Sequence, residues 1–206
     1  TVSDGDLSDS ATITLTIDPV NDAPVLAPIS DVVSNEAYTE YGNFGIGEGT
    51  TLSATDVDGD ALTFSITGGN EIFFSVDDNT LMFYAFNYYN GSESFIVSVS
   101  DGEYSDSQSI TVTVNAVNDA PVATIGLSGT TNEDQSIVIN LSGSDVDGDV
   151  LTFTADTPSN GSVTIDGNIA TYTPNQDYNG DDSFIFWVSD GDLSDGAPVT
   201  LIINPV

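Results

Sequence analysis

The sequence predicts an all-β fold built from tandem antiparallel β-sandwiches, and three observations lead to this fold class. Apolar and polar residues alternate with a period of two along several short segments, which is typical of half-buried strands. Clusters of Gly, Asn and Asp separate these segments and suit tight turns. The same segments recur in the same order along the chain, and none shows the 3.6-residue apolar period of an amphipathic helix.

Repeated motifs set the organisation of the chain. Asn-Asp-Ala-Pro begins at Asn21 and again at Asn118, which is 97 residues later (118 − 21). Asp-Val-Asp-Gly-Asp begins at Asp56 and again at Asp145, which is 89 residues later (145 − 56). The two separations differ by eight residues, so the first repeat carries an insertion of eight residues around positions 41–49. We expect this Gly-rich insertion to form an elongated loop or hairpin.

A third motif marks the end of each repeat. Val-Ser-Asp-Gly begins at Val2, Val99 and Val188, so it occurs once more often than the other motifs. The sequence therefore predicts a preceding repeat, of which only the C-terminal strand and linker are present. The predicted domains are residues 1–22 from that earlier repeat, 23–117 as the first complete sandwich and 120–206 as the second.

The predicted strands follow one another in the same order in each repeat. A sandwich of about 90 residues holds roughly seven short strands, each with one apolar face. Segments with this alternation are residues 11–17, 62–66, 110–114, 137–141, 151–153 and 184–188. Residues 11–17 have the pattern of a final strand whose own domain is missing, so we expect an unpaired strand there.

The charge of the chain excludes several classes of function. The 206 residues include no Lys, Arg, His or Cys and 33 Asp plus Glu, for a formal net charge of −33. Such a chain cannot neutralise nucleic-acid phosphates or anionic lipids, and it lacks the bases and thiols of most nucleophilic catalysis. With 39% apolar residues it can still form a folded core. Carboxylates at this density repel one another unless cations from solution bind among them.

The Asp-Val-Asp-Gly-Asp motifs are the best cation donors in the sequence. Ca²⁺ takes six to eight oxygen ligands in flexible geometry, and alternating Asp side chains on a turning segment project to one side. An EF-hand is excluded, because it needs Gly at position six and Glu at position twelve, where counting from Asp56 gives Ala61 and Thr67. The alternative to a cation site is a polar turn whose acidic side chains are solvated. Asp60 and Asp149 are the weaker ligand candidates, because capping of the turn is enough to account for them.

These motifs together resemble the tandem cadherin-like, or immunoglobulin-like, repeats of large bacterial surface adhesins, including those of the RTX type. The resemblance covers nearly the whole chain and implies Greek-key β-sandwiches. The residues that carry it are Val20-Asn21-Asp22-Ala23-Pro24, Val117-Asn118-Asp119-Ala120-Pro121, both Asp-Val-Asp-Gly-Asp-x-Leu-Thr-Phe segments, Asn132-Glu133-Asp134, and the run from Tyr178 to Phe184 that leads into Val188-Ser189-Asp190-Gly191.

The resemblance also implies calcium clusters between successive domains. The ligands it implies for the junction within this chain are Glu36, Asn118, Asp119, Asp145, Asp147 and Asp190. An equivalent half-site would use Asn21, Asp22, Asp56, Asp58 and Asp101, and Glu133 would begin a further site. Asp60 and Asp149 are candidate ligands from the repeated motif itself. Pro19 and Ala116 stand where the family linker usually offers an acidic residue, so we expect one or two Ca²⁺ per junction rather than three.

The function expected from these features is mechanical. We expect a non-enzymatic, calcium-rigidified spacer in a secreted or cell-surface adhesin or fibre, with adjacent repeats of the chain as its partners. Two alternatives stay open. One is an adhesive module that binds carbohydrate or a homophilic partner through Trp187 or the insertion at 41–49. The other is a filament subunit in which residues 11–17 complete a sheet of a neighbouring molecule.

Overall fold

The computed structural model describes all residues, 1–206, and contains strands but no helix. It therefore has no helix long and apolar enough to cross a membrane. The chain divides into two compact units, Thr1–Ala116 and Val117–Val206. Each unit holds one sandwich, so the predicted all-β fold of tandem sandwiches is confirmed.

The first unit places two sheets face to face around one core. Its strands are β1 (Val2–Ser3), β2 (Ser8–Asp9), β3 (Val25–Leu26), β4 (Val32–Asn35), β5 (Asn43–Thr51), β6 (Ala54–Thr55), β7 (Thr63–Gly68), β8 (Ile72–Asp77), β9 (Thr80–Phe86), β10 (Gly91–Ser100) and β11 (Ser105–Asn115). One sheet has the order β4-β11-β10-β7 and the other the order β5-β9-β8. Their inward residues, such as Phe95, Val97 and Phe83, are almost completely buried.

The second unit repeats this arrangement. Its strands are β12 (Val122–Ala123), β13 (Ser128–Asn132), β14 (Ile137–Asn140), β15 (Gly143–Ser144), β16 (Thr152–Ala155), β17 (Gly161–Asp166), β18 (Ile169–Pro174), β19 (Gly180–Ser189) and β20 (Ser194–Asn204). The sheets are β13-β20-β19-β16 and β14-β18-β17. In both units the first strand of the larger sheet pairs parallel with the last strand, and the remaining pairs are antiparallel.

The three Val-Ser-Asp-Gly motifs form the same hairpin. Val2 pairs with Asp9 across β1 and β2 in the register that Val99 and Val188 adopt in their own units. Residues 11–17, however, form no strand, and the side chains of Ile13, Leu15 and Ile17 are 90%, 82% and 83% exposed, respectively. The strand expected there is not formed, because no neighbouring strand completes its ladder, whereas β11 and β20 each lie between two partners. The assignment of residues 1–22 to an earlier repeat stays a prediction.

The insertion of the first repeat, predicted to be an elongated loop or hairpin, instead lies largely in β5, which pairs with the distant strand β9 in the three-stranded sheet, so the prediction is wrong. Phe44 and Ile46 of β5 are buried, and they pair with Ala85 and Phe83 of β9. Their apolar alternation favours a sheet position over a solvent-exposed loop. A bulge between Ile46 and Thr50 takes up part of the extra length, and the rest precedes β5.

Candidate metal centres

The loop between β6 and β7 is a tight turn organised by one carboxylate. Asp56 Oδ1 accepts hydrogen bonds from the backbone N–H groups of Asp58 at 2.9 Å, Gly59 at 2.9 Å and Asp60 at 3.3 Å. Gly59 has φ of 80°, a left-handed conformation that favours glycine. The motif's spacing thus has a local cause, since its first Asp caps the turn and its Gly allows the bend.

This turn brings three carboxylates together. Oxygens of Asp56, Asp58 and Asp60 all lie within 4.8 Å of one another. Asp56 Oδ2 is buried and has no hydrogen-bond partner, although Oδ1 of the same group accepts three. A buried, unpaired carboxylate oxygen beside two further negative charges is unfavourable without a cation.

The second unit has the same geometry at the equivalent loop. Asp145 Oδ1 accepts from the backbone N–H groups of Asp147 at 2.9 Å, Gly148 at 3.1 Å and Asp149 at 3.4 Å. The oxygens of Asp145, Asp147 and Asp149 again lie within 4.8 Å of one another, and Asp145 Oδ2 is buried without a hydrogen-bond partner. Asp60 and Asp149 do not cap these turns. Their carboxylates belong to the clusters, and only their backbone N–H groups serve the turn.

The linker residues lie against the acidic loops of the sandwich that follows them in sequence. In the first unit the Asp22 N–H donates to Asp58 Oδ2 at 2.8 Å, and Asn21 Nδ2 donates to Asp101 Oδ2 at 3.0 Å. The second unit repeats both bonds, from Asp119 to Asp147 at 2.8 Å and from Asn118 to Asp190 at 3.0 Å. Asn21, Asp58 and Asp60 also line one shallow depression with Pro19 and Val20.

The carboxylates of Asp101 and Asp190 accept several hydrogen bonds from the protein. The pKa of Asp101 is lowered by the backbone N–H groups of Glu103 and Tyr104 and then by the Asn21 amide. The pKa of Asp190 is lowered in the same way, first by the Leu193 N–H and next by Asn118. Both oxygens of each group therefore already accept bonds from the protein. Their direct ligation of a cation stays a prediction.

Glu36 and Glu133 lie at the opposite end of their own sandwiches. The Glu36 N–H donates to the Asn115 carbonyl at the last residue of β11, whereas Asp101 precedes the first residue of that strand. A strand of this length spans roughly 35 Å, so Glu36 is remote from Asp56. Glu133 likewise lies beside Asn204, and its carboxylate accepts from the Val206 N–H at 2.8 Å and from Asn179 at 3.2 Å. The structure does not bring these two Glu into the acidic cluster of their own unit.

Sequence reasoning missed one pair of anchoring carboxylates. Asp106 Oδ2 accepts from the Leu26 N–H at 2.9 Å, and Asp195 Oδ2 accepts from the Ala123 N–H at 2.9 Å. These bonds fix the strand that follows each linker. A signal was available, because a Ser-Asp pair follows Val-Ser-Asp-Gly at the same distance all three times, at Asp9, Asp106 and Asp195.

Trp187 does not form an open ligand platform. It is 39% exposed, and its indole N–H donates to Asp156 Oδ1 at 3.2 Å. Its ring packs over Gly196, where an added Cβ would lie 2.8 Å from the indole. The residue is thus partly covered by the neighbouring strand β20.

Comparison with known proteins identifies the class of fold. Residues 21–115 and 118–202 each match the family described as Bacterial Ig domain. Comparison with curated proteins gives no significant match.

Two of the similar solved structures are cadherins. The human protocadherin-24 EC1-2 structure, form II, is 21% identical, with a TM-score of 0.56, over 90% of this chain and 100% of that one. Drosophila N-cadherin EC1-4 is 14% identical, with a TM-score of 0.53, over 89% of this chain and 50% of that one. These similarities show the fold alone.

A third similar structure belongs to an enzyme. An endo-fucoidan hydrolase of glycoside hydrolase family 107 is 23% identical, with a TM-score of 0.39. The match covers 93% of this chain but only 30% of the hydrolase chain.

Proposed function

The chain belongs to the bacterial Ig domain family, and from that premise we propose that its repeats are calcium-stabilised spacer modules of an extracellular adhesin or surface fibre. The observation that best supports the proposal is the buried Oδ2 of Asp56 and of Asp145, which has no hydrogen-bond partner in either unit. The same unsatisfied atom occurs in both units, at the first Asp of the repeated Asp-Val-Asp-Gly-Asp motif. A structural turn alone does not require it, because Oδ1 already caps the turn.

Calcium suits these clusters better than any other neutralising group. The chain has no basic side chain, so only ions from solution can offset the charge of Asp56, Asp58 and Asp60 or of their counterparts. All the donors are oxygens on irregular loops, which Ca²⁺ tolerates and Mg²⁺ accepts less readily. The side chains of the acidic triplets would hold the ion. Oxygens of the linker residues, Asn21 and Asp22 or Asn118 and Asp119, would be further donors, because these residues lie against the acidic loops.

Bound calcium would fix each linker onto its own sandwich. Asp22 and Asp119 already donate backbone bonds to the central Asp of each triplet. A cation on that Asp would remove the repulsion that otherwise opposes this contact. Because the ion binds the folded loops only, it stabilises each unit by an amount that rises with its concentration. A stiff, calcium-dependent linker is what a spacer outside the cell requires.

Thermal unfolding of the whole chain tests the proposal. Melting temperatures are measured in millimolar CaCl₂, in MgCl₂ and in EDTA at the same ionic strength, with limited proteolysis of the linkers in parallel. We expect CaCl₂ to raise the melting temperature and protect both linkers more than MgCl₂ does. Equal melting temperatures and equal proteolysis in CaCl₂ and EDTA would contradict it.

A filament assembled by donor-strand exchange is the second candidate. It is favoured by Ile13, Leu15 and Ile17, alternate apolar residues that are exposed and have no strand partner in this structure. Removing residues 1–17 and measuring the oligomeric state by light scattering tests it. An unchanged oligomeric state would contradict donor-strand exchange and leave the calcium proposal untouched.

A further inference from the structure

One sheet of the first unit carries large apolar side chains on its outer surface. Phe73, Met82, Tyr84 and Phe86 form what we call the aromatic face. Phe73 of β8 pairs with Tyr84 of β9, so both side chains project from the same side of the sheet. Phe73 is 42% exposed and Phe86 is 55% exposed, and their rings meet edge-to-face at 5.1 Å.

The fold itself does not require this surface. The second unit has the same three-stranded sheet, and Ser162 pairs with Thr173 there as Phe73 pairs with Tyr84 in the first. The residues of the second unit that correspond to the aromatic face are Ser162, Thr171, Thr173 and Asn175. A contiguous exposed apolar surface that its sibling domain lacks indicates a contact surface.

Gly45 keeps the aromatic face open. It lies opposite Tyr84 in β5, and a Cβ at this position would meet no atom within 4 Å. In the second unit Ser136 takes the place of Gly45 and lies beside Thr173, and the two hydroxyl groups hydrogen-bond at 2.8 Å. The first unit therefore leaves space beside Tyr84 that its sibling fills.

Carboxylates border the aromatic face. Asp77 shares the outward side of β8 with Phe73, because alternate residues of a strand face the same way. Asp78 and Glu48 are exposed in the adjoining turn and bulge, and Glu71 is exposed just before β8. An apolar centre within an acidic rim is complementary to an apolar centre within a basic rim.

We propose that the aromatic face binds a basic protein surface, in which Lys or Arg side chains surround an apolar contact. Tyr, Phe and Met are enriched at protein interfaces, and Arg stacks favourably on aromatic rings. A second copy of this chain does not suit the aromatic face, because it has no Lys or Arg to complement the acidic rim. A neutral saccharide fits less well, because the Phe73 and Phe86 rings are inclined at 77° and do not form a common flat platform.

The test uses the whole chain with two synthetic hexapeptides, one of alternating Arg and Trp and one of alternating Glu and Trp. The variant Phe73→Ser/Tyr84→Thr/Phe86→Asn carries the residues of the second unit and keeps the net charge. We expect the Arg-Trp peptide to bind the wild-type chain at least tenfold more tightly than this variant in calorimetry. The Glu-Trp peptide should not bind.

Two further variants guard against misfolding and general charge attraction. Gly45→Gln leaves every aromatic residue in place and should weaken binding of the Arg-Trp peptide about tenfold by filling the space beside Tyr84. Asp56→Asn/Asp145→Asn should leave it unchanged, which separates this proposal from the calcium proposal. Equal binding of the Arg-Trp peptide by wild type and the triple variant would overturn the proposal. A second result would also overturn it: the wild-type chain binds a neutral oligosaccharide and not the Arg-Trp peptide, and the triple variant loses the oligosaccharide.

Discussion

Asp56 and Asp145 use their two carboxylate oxygens for different purposes. In each, Oδ1 accepts three backbone N–H groups of the turn, while Oδ2 is buried without a partner. An amide in place of the carboxylate would keep the first role and lose the second. The two roles can therefore be separated by one substitution.

We predict that Asp145→Asn changes stability in opposite directions with and without calcium. In EDTA it should raise the melting temperature, because it removes a buried unpaired negative charge beside Asp147 and Asp149. In saturating CaCl₂ it should lower the stability, by about 1.4 kcal/mol for each tenfold loss of Ca²⁺ affinity. Thermal unfolding in both buffers measures the two effects.

Asp145→Ala is the matched control for the turn. It removes the Oδ1 acceptor as well, so unlike Asp145→Asn it should destabilise the second unit in EDTA too, and it should destabilise the unit further in CaCl₂, where the calcium ligand is also lost. If Asp145→Asn lowered the melting temperature equally in both buffers, the Asp would be a turn residue only.

Single carboxylates also join the two sheets within each sandwich. Glu93 of β10 accepts from the backbone N–H groups of Asn70 at 2.7 Å, Glu71 at 2.9 Å and Ile72 at 3.2 Å, where the chain enters β8 of the other sheet. Burial raises the pKa of Glu93, but these three bonds and the Tyr89 hydroxyl outweigh it, so the pKa lies below its ordinary value of 4.5.

The corresponding carboxylate of the second unit is Asp182 of β19. It accepts from the Asn160 N–H at 2.9 Å and from the Tyr172 hydroxyl at 2.8 Å. Burial, followed by the bond to Asp182, raises the pKa of Tyr172, so this hydroxyl stays protonated and donating at neutral pH. Glu93 and Asp182 thus join the two sheets at equivalent positions of the two units.

We predict that Glu93→Gln destabilises the first unit by about 1–3 kcal/mol at neutral pH, because an amide offers one acceptor oxygen where the carboxylate offers two. A group whose pKa is lowered on folding stabilises the fold above its unfolded pKa and loses that contribution as the pH falls through its folded pKa. The difference between wild type and variant should therefore be full above pH 4.5 and shrink below it. Urea unfolding at several pH values measures it, and a difference independent of pH would contradict the assignment.

At the scale of the whole molecule, the charge of −33 has two separable consequences. Six of the carboxylates form the two triplets, Glu36 is buried, and the others are exposed or partly exposed on the units. Diffuse repulsion is screened by any salt, whereas a specific site responds to calcium. We predict that NaCl raises the melting temperature in EDTA gradually, and that millimolar CaCl₂ adds a further increase at high NaCl. Loss of the calcium effect at high NaCl would show that screening alone is responsible.

Much of this fold was predictable from the sequence, for local reasons. Alternation predicted the strands, and the recurrence of Asp56–Asp60 at Asp145–Asp149 predicted the acidic loops, because a turn capped by its own first Asp depends on residues close in sequence. The strand at 11–17 was not formed, because a strand requires partners that no local pattern supplies. The role of Asp106, which bonds Leu26 across 80 residues, likewise depends on which strands meet.

The most direct test of the central claim is calorimetric titration of the whole chain with CaCl₂ in physiological salt, beside the double variant Asp56→Asn/Asp145→Asn. Each repeat has one acidic triplet with a buried unpaired oxygen. We predict saturable binding of at least one Ca²⁺ per repeat by the wild-type chain and its loss or strong weakening in the variant. No saturable binding, or equal binding by the two proteins, would contradict the account.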